Sequence, residues 1–380
     1  MGLEPRIRAL YERPGPFATA YLDATRSDSD GAHEVDLRWR AARESLAQQG
    51  ADEATLLAMD GVAGTDRTVP GPHGQIVVAA AGEVRFSASL PRPPRRPGAR
   101  HAPLPHLMPY LAEAGPQVRH VLVVADHEGA DIYTGASDID WTDASSPDEE
   151  VMGPKDAPLH KTGRNVWSER HFQNRVENAW AANTSAVVEH VRHHVAQSNA
   201  QLVLVAGEVQ SRTEVRDALI GHLPPRVRIE ELAGADRSDA RLEPKIHDEV
   251  HDAILRYSWR NRHDVLSHVR EGLGRGDLAV AGLEAVFEAL RQGQVETLVI
   301  ADDPSSPLTA WIGPKPLELS RSRQDLIDLG IAPQRDRLDA ALVRAVSGTD
   351  ADLLVTPGPH DYLPDGLAAV LRFSLVSRPT

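Results

Sequence analysis

The chain has 380 residues, 41% of them hydrophobic, and at roughly 100 to 200 residues per domain this length predicts two or three domains. It contains no Cys, which excludes a disulfide framework, a thiolate metal site and a thiol nucleophile. The formal charge of −14, from 41 Lys plus Arg against 55 Asp plus Glu, argues against a nucleic-acid coat protein with a global basic field. Any RNA contact must therefore be local.

No apolar run reaches the roughly 18 residues that a membrane helix needs. The N-terminal residues also lack the apolar core of a signal peptide. We therefore expect a cytoplasmic protein that makes no membrane contact.

The first segment, residues 1–116, has an α/β pattern. Its composition predicts a strand at Pro16–Asp23, an amphipathic helix at 32–48 and two strands around Gly82. Prolines from Pro91 onward then exclude a helix and favour an extended strap. The strap displays four arginines, Arg92, Arg95, Arg96 and Arg100.

The second segment, residues 117–261, begins with a hairpin signature from Val118 to Thr134. A long helix with an apolar stripe is predicted from Ser168 onward, and strands are predicted at 201–208 and 226–232, with a helix between them. A long helical stretch from Pro244 leads into the third segment. Strands that alternate with helices indicate a parallel or mixed sheet covered by helices.

The third segment, residues 262–380, twice repeats the order helix, glycine, strand. Residues 277–293 predict a helix that ends at Gly293, and a strand follows directly at Val295–Asp302. The same order returns at 336–348 and 351–358. Two such units describe a small α/β layer domain.

Two histidine clusters have the spacing of metal ligands. His247 and His251 lie four residues apart on one helical face, but Asp248 stands where a zinc protease requires Glu, so a solvated face is the favoured interpretation. The cluster from His190 to His194 lies beside the apolar stripe without a partner carboxylate in the sequence. There a solvated or pH-sensitive face is favoured. We expect no metal, no cofactor and no catalytic residue.

The stretch His160–Glu177 is a positive patch in this acidic chain. Between Val151 and Val176 there are five Lys or Arg against two acidic residues. A loop before a helix N-terminus, with a Trp beside Arg, suits phosphates and stacked bases. The candidate RNA contacts are Lys161, Arg164, Asn165, Trp167 and Arg170, with Arg92, Arg95, Arg96 and Arg100 as further phosphate contacts. The alternative is an ordinary exposed loop with Trp167 folded against its domain.

Residues 160–191 and 282–303 carry a family resemblance. The first resembles the middle domain of archaeal and eukaryotic class I peptide release factors, in which a loop with Gly-Gly-Gln leads into a long helix. The second resembles the start of their C-terminal domain. The chain thus resembles the bacterial branch of the release factor and Pelota superfamily, in particular actinobacterial relatives of the ribosome hibernation factor Balon.

The resemblance implies an α/β protein of three domains. These are an N-terminal α/β domain at 1–116, a ribonuclease H-like release-factor-type domain at 117–261, and an α/β/α sandwich of the kink-turn-binding ribosomal-protein type at 262–380. It also implies the 70S ribosome as partner, through rRNA of the A site, with elongation factor Tu as a further partner and no DNA.

The release-factor motif is replaced at Asn165, Val166 and Trp167. Peptidyl-tRNA hydrolysis depends on the backbone freedom of paired glycines, which a Val and a Trp lack. The resemblance therefore implies a non-catalytic factor that occupies the vacant A site and silences or protects ribosomes in stress or dormancy.

Two other functions stay open at this point. The first is a hydrolase or nuclease acting on peptidyl-tRNA at stalled ribosomes, for which His160 or His171 would be the general acid or base. The second is a protein-protein adaptor that never binds ribosomes.

Overall fold

The computed structural model describes residues 3–26, 31–66, 71–115, 117–136, 147–152, 183–233, 244–303, 306–358 and 360–373. The chain divides into two compact units. The first unit comprises Met1–Gly115 and Arg262–Thr380, and the second comprises Pro116–Asn261. The further division of the first unit into separate N-terminal and C-terminal domains stays a prediction.

The N-terminal part of the first unit is built on an antiparallel sheet with strand order β3-β2-β1-β4. Its elements are α1 (Pro5–Leu10), β1 (Phe17–Asp23), α2 (Gly31–Gln48), α3 (Glu53–Asp60), β2 (Gly74–Ala80), β3 (Glu83–Leu90), β4 (Gly98–Ala102) and α4 (Met108–Glu113). Ala81 and Gly82 both have positive φ, as a two-residue type I′ turn requires, and they join β2 to β3. The strand, helix and hairpin predicted for this segment are confirmed.

The two faces of this sheet are covered by different layers, because successive side chains of a strand point to opposite faces. Leu22 of β1 and Val77 of β2 pack with Trp39 of α2 in one cluster. Alternate residues, including Tyr21 and Ile76, belong to a second cluster. That cluster also contains buried side chains of residues 280–371, so both parts of the first unit share one core.

The C-terminal part of the first unit follows α7 (Pro244–Arg275). Its elements are β10 (Ala279–Ala281), α8 (Leu283–Arg291), β11 (Val295–Asp302), β12 (Thr309–Ile312), β13 (Leu319–Ser320), α9 (Arg323–Asp328), β14 (Gln334–Arg337), α10 (Leu338–Ser347), β15 (Asp352–Pro357) and β16 (Leu367–Leu371). One sheet has the order β10-β16-β11-β15, in which β11 and β15 are parallel. A smaller antiparallel sheet has the order β13-β12-β14.

The second unit is built on a mixed sheet with strand order β7-β6-β5-β8-β9. Its elements are β5 (His120–Ala125), β6 (Gly129–Gly135), β7 (Glu149–Met152), a helix α5 at residues 183–198, β8 (Leu202–Gly207), α6 (Val209–Leu219) and β9 (Arg228–Glu231). β5 pairs antiparallel with β6, and β6 pairs antiparallel with β7. On the other side, β5 is parallel to β8, and β8 is parallel to β9. Every residue of β5 and β8 is buried, which explains why both strands are apolar apart from His120.

The predicted α/β class is confirmed in both units, and the hairpin at 118–134 and the long helix from Pro244 are confirmed as well. The prediction of one helix over residues 277–293 was wrong at its start. Ala279–Ala281 form β10 and pair antiparallel with β16, and α8 begins only after Gly282. Pairing with a distant strand overrides helix propensity in this short apolar run.

Among the described residues, no helix is long and apolar enough to cross a membrane.

Candidate functional site

The candidate RNA contacts on the loop that is predicted before the helix N-terminus lie outside the described residues. These are Lys161, Arg164, Asn165, Trp167 and Arg170, all within 153–182. The structure does describe the strand that precedes this segment and the helix that follows it. β7 ends at Met152, and α5 is described from residue 183.

Helix α5 packs firmly on the sheet of the second unit. Val187, Val191 and Val195 lie at helical spacing and are all buried. They contact the same apolar cluster as Val121 and Val123 of β5. This part of the predicted apolar stripe is confirmed, while its start at Ser168 lies outside the described residues.

A single carboxylate joins β7 to α5. Glu149 of β7 contacts His190 Nδ1 through one oxygen at 2.9 Å and His194 Nε2 through the other, also at 2.9 Å. The other ring nitrogen of His194 lies 3.2 Å from the Thr134 hydroxyl of β6. We call Glu149, His190 and His194 the carboxylate clamp. The interpretation that this histidine cluster has no partner carboxylate was wrong, because the partner lies 45 positions from His194 in sequence.

The carboxylate clamp predicts acid sensitivity. Hydrogen bonds from His194 and then His190 hold the pKa of Glu149 below its ordinary value of 4.5. A carboxyl whose pKa is lower in the folded state adds stability above its unfolded pKa, and this stability is lost as the pH falls through the folded value. We therefore expect wild type to lose more stability than Glu149→Gln as the pH falls from about 5 to below about 4. Thermal unfolding at several pH values measures this difference.

The control for the carboxylate clamp is Glu189→Gln on the same helix α5. Glu189 is exposed and pairs only with Arg192 one turn away, among the described contacts. This control should follow the wild-type pH profile. If Glu149→Gln follows it too, the clamp contributes nothing to acid sensitivity.

The four arginines of the strap have different environments. Arg92 and Arg96 are exposed, and among the described residues neither forms an ion pair. Arg95 is 69% exposed and lies 3.9 Å from Glu113 and 3.8 Å from Asp302. Arg100 is only 28% exposed and pairs with Asp336, whose side chain is fully buried. RNA contact stays a prediction for all four, and Arg100 in addition has a structural partner.

Asp336 holds the end of the strap against the C-terminal part of the first unit. One carboxylate oxygen accepts hydrogen bonds from Arg100 and from the Arg337 amide, and the other accepts one from the Leu104 amide at 2.8 Å. Burial nevertheless raises the pKa of Asp336, and Arg100 opposes this increase. Residues 98–102 are thus a paired strand of the sheet, although the prolines before them indicated only an extended strap.

The second histidine motif lies on α7. His251 is exposed and His247 is half-buried on the same helix. Within the described ranges, no group of three or more His, Asp or Glu side chains is arranged to hold a metal ion.

Comparison with known proteins gives a family match that covers most of the second unit and the remainder of helix α7. Residues 119–275 match the model of "Bacterial archaeo-eukaryotic release factor family 2". This match supports the superfamily that the sequence resemblance indicated. Two uncharacterised proteins of Mycobacterium tuberculosis, from strains CDC 1551 / Oshkosh and H37Rv, are each 29% identical to the chain over 380 residues. The alignment covers 98% of this chain and 97% of each relative.

Solved structures of release-factor type show a partial likeness. An archaeal translation termination factor is 16% identical with a TM-score of 0.24, over 95% of this chain and 93% of that chain. A ribosome-bound archaeal Pelota is 16% identical with a TM-score of 0.37, over 98% and 96% of the two chains. These TM-scores are low, and neither likeness supports a function.

Proposed function

We propose that this chain is a non-catalytic translation factor that binds the vacant A site of the 70S ribosome and silences or protects idle ribosomes. It would act in the cytoplasm, as a relative of Balon-like hibernation factors, with elongation factor Tu as a further partner. One observation carries the proposal. Residues 119–275 match a release-factor family, yet Asn165, Val166 and Trp167 stand where the resemblance places Gly-Gly-Gln.

The altered motif argues for binding without catalysis. Paired glycines reach backbone conformations with positive φ that a β-branched or bulky residue adopts only at a considerable cost. A loop with Val166 and Trp167 therefore lacks the freedom to place an amide group beside the peptidyl-tRNA ester. The same substitutions leave Lys161, Arg164 and Trp167 suited to phosphates and stacked bases.

The net charge of −14 is compatible with this proposal if the ribosomal contacts are few and local. The exposed Arg92 and Arg96 add a second small group of cations that form no close ion pair among the described residues. Phosphate contacts fix position and orientation, while shape complementarity supplies the remaining specificity. Acidic faces are then available for basic ribosomal proteins or for a translation factor.

Co-sedimentation with vacant 70S ribosomes over a salt series tests the proposal. We expect wild type to pellet with ribosomes, and Lys161→Ala/Arg164→Ala/Trp167→Ala to dissociate at lower salt. Removal of one phosphate contact should reduce the slope of log K against log salt by about 0.7 to 0.9. The removal of two cations should therefore change this slope by roughly 1.4 to 1.8.

The matched control removes two cations and one Trp that lie outside residues 153–182 in the sequence. Arg226, Trp259 and Arg291 are all exposed, and their triple Ala variant should release at the wild-type salt concentration. If wild type fails to pellet with and without elongation factor Tu, the proposed function is wrong. If both triple variants dissociate from the ribosome at the same salt concentration, the loop that carries Lys161, Arg164 and Trp167 is not the ribosome contact.

A further inference from the structure

A cavity of about 200 Å³ opens at the sheet of the first unit. Its walls come from β1, β4, the segment before α4, the end of β11 and the junction of β14 with α10. The side chains that matter for its chemistry are Tyr21, Arg96, Arg100, His106, Asp302 and the pair Arg337 and Asp339. Residues distant in sequence thus line one small space.

Gly98 leaves open space on this face of the sheet, beside the cavity. Gly98 of β4 lies directly opposite Tyr21 of β1, and opposite residues of an antiparallel pair project to the same face. A Cβ built on Gly98 would meet no atom within 4 Å. The Tyr21 hydroxyl donates to the His106 carbonyl at 2.8 Å and accepts from the Tyr110 amide at 3.1 Å, so the adjacent wall is fixed.

One wall carries a carboxylate that lacks a hydrogen-bond donor. The side chain of Asp302 is 9% exposed, and its nearest cation is Arg95 Nη1 at 3.8 Å. Among the described residues it accepts no hydrogen bond. Burial raises the pKa of Asp302, as expected for a desolvated carboxylate, and the charges of Arg95 and Arg96 oppose this rise only in part. A group that donates hydrogen bonds or carries positive charge would satisfy this wall.

Another part of the lining has polar nitrogen atoms without hydrogen-bond partners. Arg96 is exposed and forms no close ion pair among the described residues, and its charge acts on Asp302 only at longer range. Arg100 Nη1 and His106 Nδ1 are buried and have no hydrogen-bond partner. The Arg337 guanidinium donates hydrogen bonds of 2.6 to 3.1 Å to the Asp339 carboxylate. This ion pair therefore adds no net charge to the lining of the cavity. An anionic group would suit Arg96 at the mouth of the cavity.

We propose that this cavity binds a small zwitterion of the free amino-acid type, with its ammonium group on Asp302 and its carboxylate on Arg96. A simple anion would meet the carboxylates of Asp302 and Asp339, and a simple cation would meet three arginines. A molecule with both charges satisfies both walls. The volume is below the roughly 300 to 1,000 Å³ of drug-sized pockets, which fits a ligand as small as an amino acid.

Thermal unfolding and calorimetric titration with L-amino acids test this site. At about 10 mM ligand, a site with a Kd near 1 mM stabilises the folded state by RT ln(1 + [L]/Kd), so Tm should rise measurably. We expect the rise with at least one amino acid, and not with acetate or methylamine alone. Asp302→Asn and Gly98→Leu should each weaken binding at least about tenfold, since one removes the charge and the other fills the space.

The control is Arg92→Gln, an exposed arginine of the same strap that does not line the cavity. It should bind as wild type does. Circular dichroism confirms that each variant is folded, and Gly98→Leu provides a test that does not depend on Asp302. The proposal is wrong if no amino acid raises Tm, if acetate or methylamine alone gives the same rise, or if Gly98→Leu leaves the response unchanged.

Discussion

Replacement of Gly207 by Ala is expected to destabilise the second unit by more than about 3 kcal/mol. Gly207 ends β8 with a φ of +111°, a conformation that L side chains rarely adopt. A Cβ at this position would lie 2.0 Å from the carbonyl oxygen of Ala125, the residue paired with it on β5. Both atoms of this clash belong to the central parallel pair of the sheet. Relief of the clash therefore requires β5 and β8 to separate.

Gly221→Ala is the matched control for this substitution. Gly221 also has a positive φ, at +85°, but its Cβ would meet no atom within 4 Å. We expect a cost of about 1 to 2 kcal/mol from backbone conformation alone. Hydrogen exchange measured by mass spectrometry should show that β5 and β8 lose protection in Gly207→Ala while β1 and β2 keep theirs. Equal effects of the two substitutions would show that the close approach to Ala125 is relieved without cost.

The sequence predicted the elements that local pattern determines. The runs at Val121–Ala125 and Leu202–Gly207 read as buried strands, and both lie at the centre of a sheet with every residue buried. Helix α7 was predicted as a long helical stretch from Pro244, and the β2–β3 hairpin from the glycine at its turn. In each case neighbours in sequence supply the signal.

The elements that were missed depend on distant partners. β10 has only three residues, and it is a strand because it pairs with β16, about 90 positions later. The sheet β13-β12-β14 likewise consists of strands of two to four residues, too short for a period to emerge. Local propensity carries little information in such segments, and tertiary pairing decides their structure.

In the candidate sites as well, the features set by neighbouring residues were predicted from the sequence, and those that depend on distant residues were not. The histidine spacing on α5 was visible in the sequence, but the carboxylate that binds those histidines was not, because β7 meets α5 only in the folded unit. The strap arginines were visible, but nothing local separates Arg96, which is free of ion pairs among the described residues, from Arg100, whose partner lies 236 positions away. An Asp between two arginines at 335–337 was the one available signal, and alone it indicates an ordinary exposed pair.

Arg100→Met is expected to destabilise the first unit by about 2 to 3 kcal/mol at neutral pH. The substitution leaves the fully buried Asp336 carboxylate without its cation. Breaking a wholly buried pair costs about 3 to 5 kcal/mol, and Arg100 keeps 28% of its side chain exposed, which places the expected cost below that range. Asp336→Asn should cost less, because the freed guanidinium reaches solvent and the amide oxygen still accepts a hydrogen bond from the Leu104 amide.

Two measurements show whether the cost of Arg100→Met comes from the lost ion pair with Asp336 or from lost packing alone. In a double-mutant cycle by urea unfolding, Arg100→Met/Asp336→Asn should cost less than the sum of the single variants, by about 1 to 2 kcal/mol. The second measurement is pH dependence. The pKa of Asp336 is already raised by burial, and removal of Arg100 should raise it further. A carboxyl with a raised folded pKa adds stability below its unfolded pKa and loses it as the pH rises through the folded value.

The cost of Arg100→Met should therefore shrink as the pH falls from neutral to about 5, since Asp336 then becomes protonated in the variant. Arg92→Gln, on the exposed part of the same strap, should show neither the coupling nor the pH dependence. If Arg100→Met costs the same at both pH values and the cycle is additive, Asp336 is not held by Arg100. Arg100 would then be available for phosphate contact, and ribosome co-sedimentation of Arg100→Met should show release at lower salt.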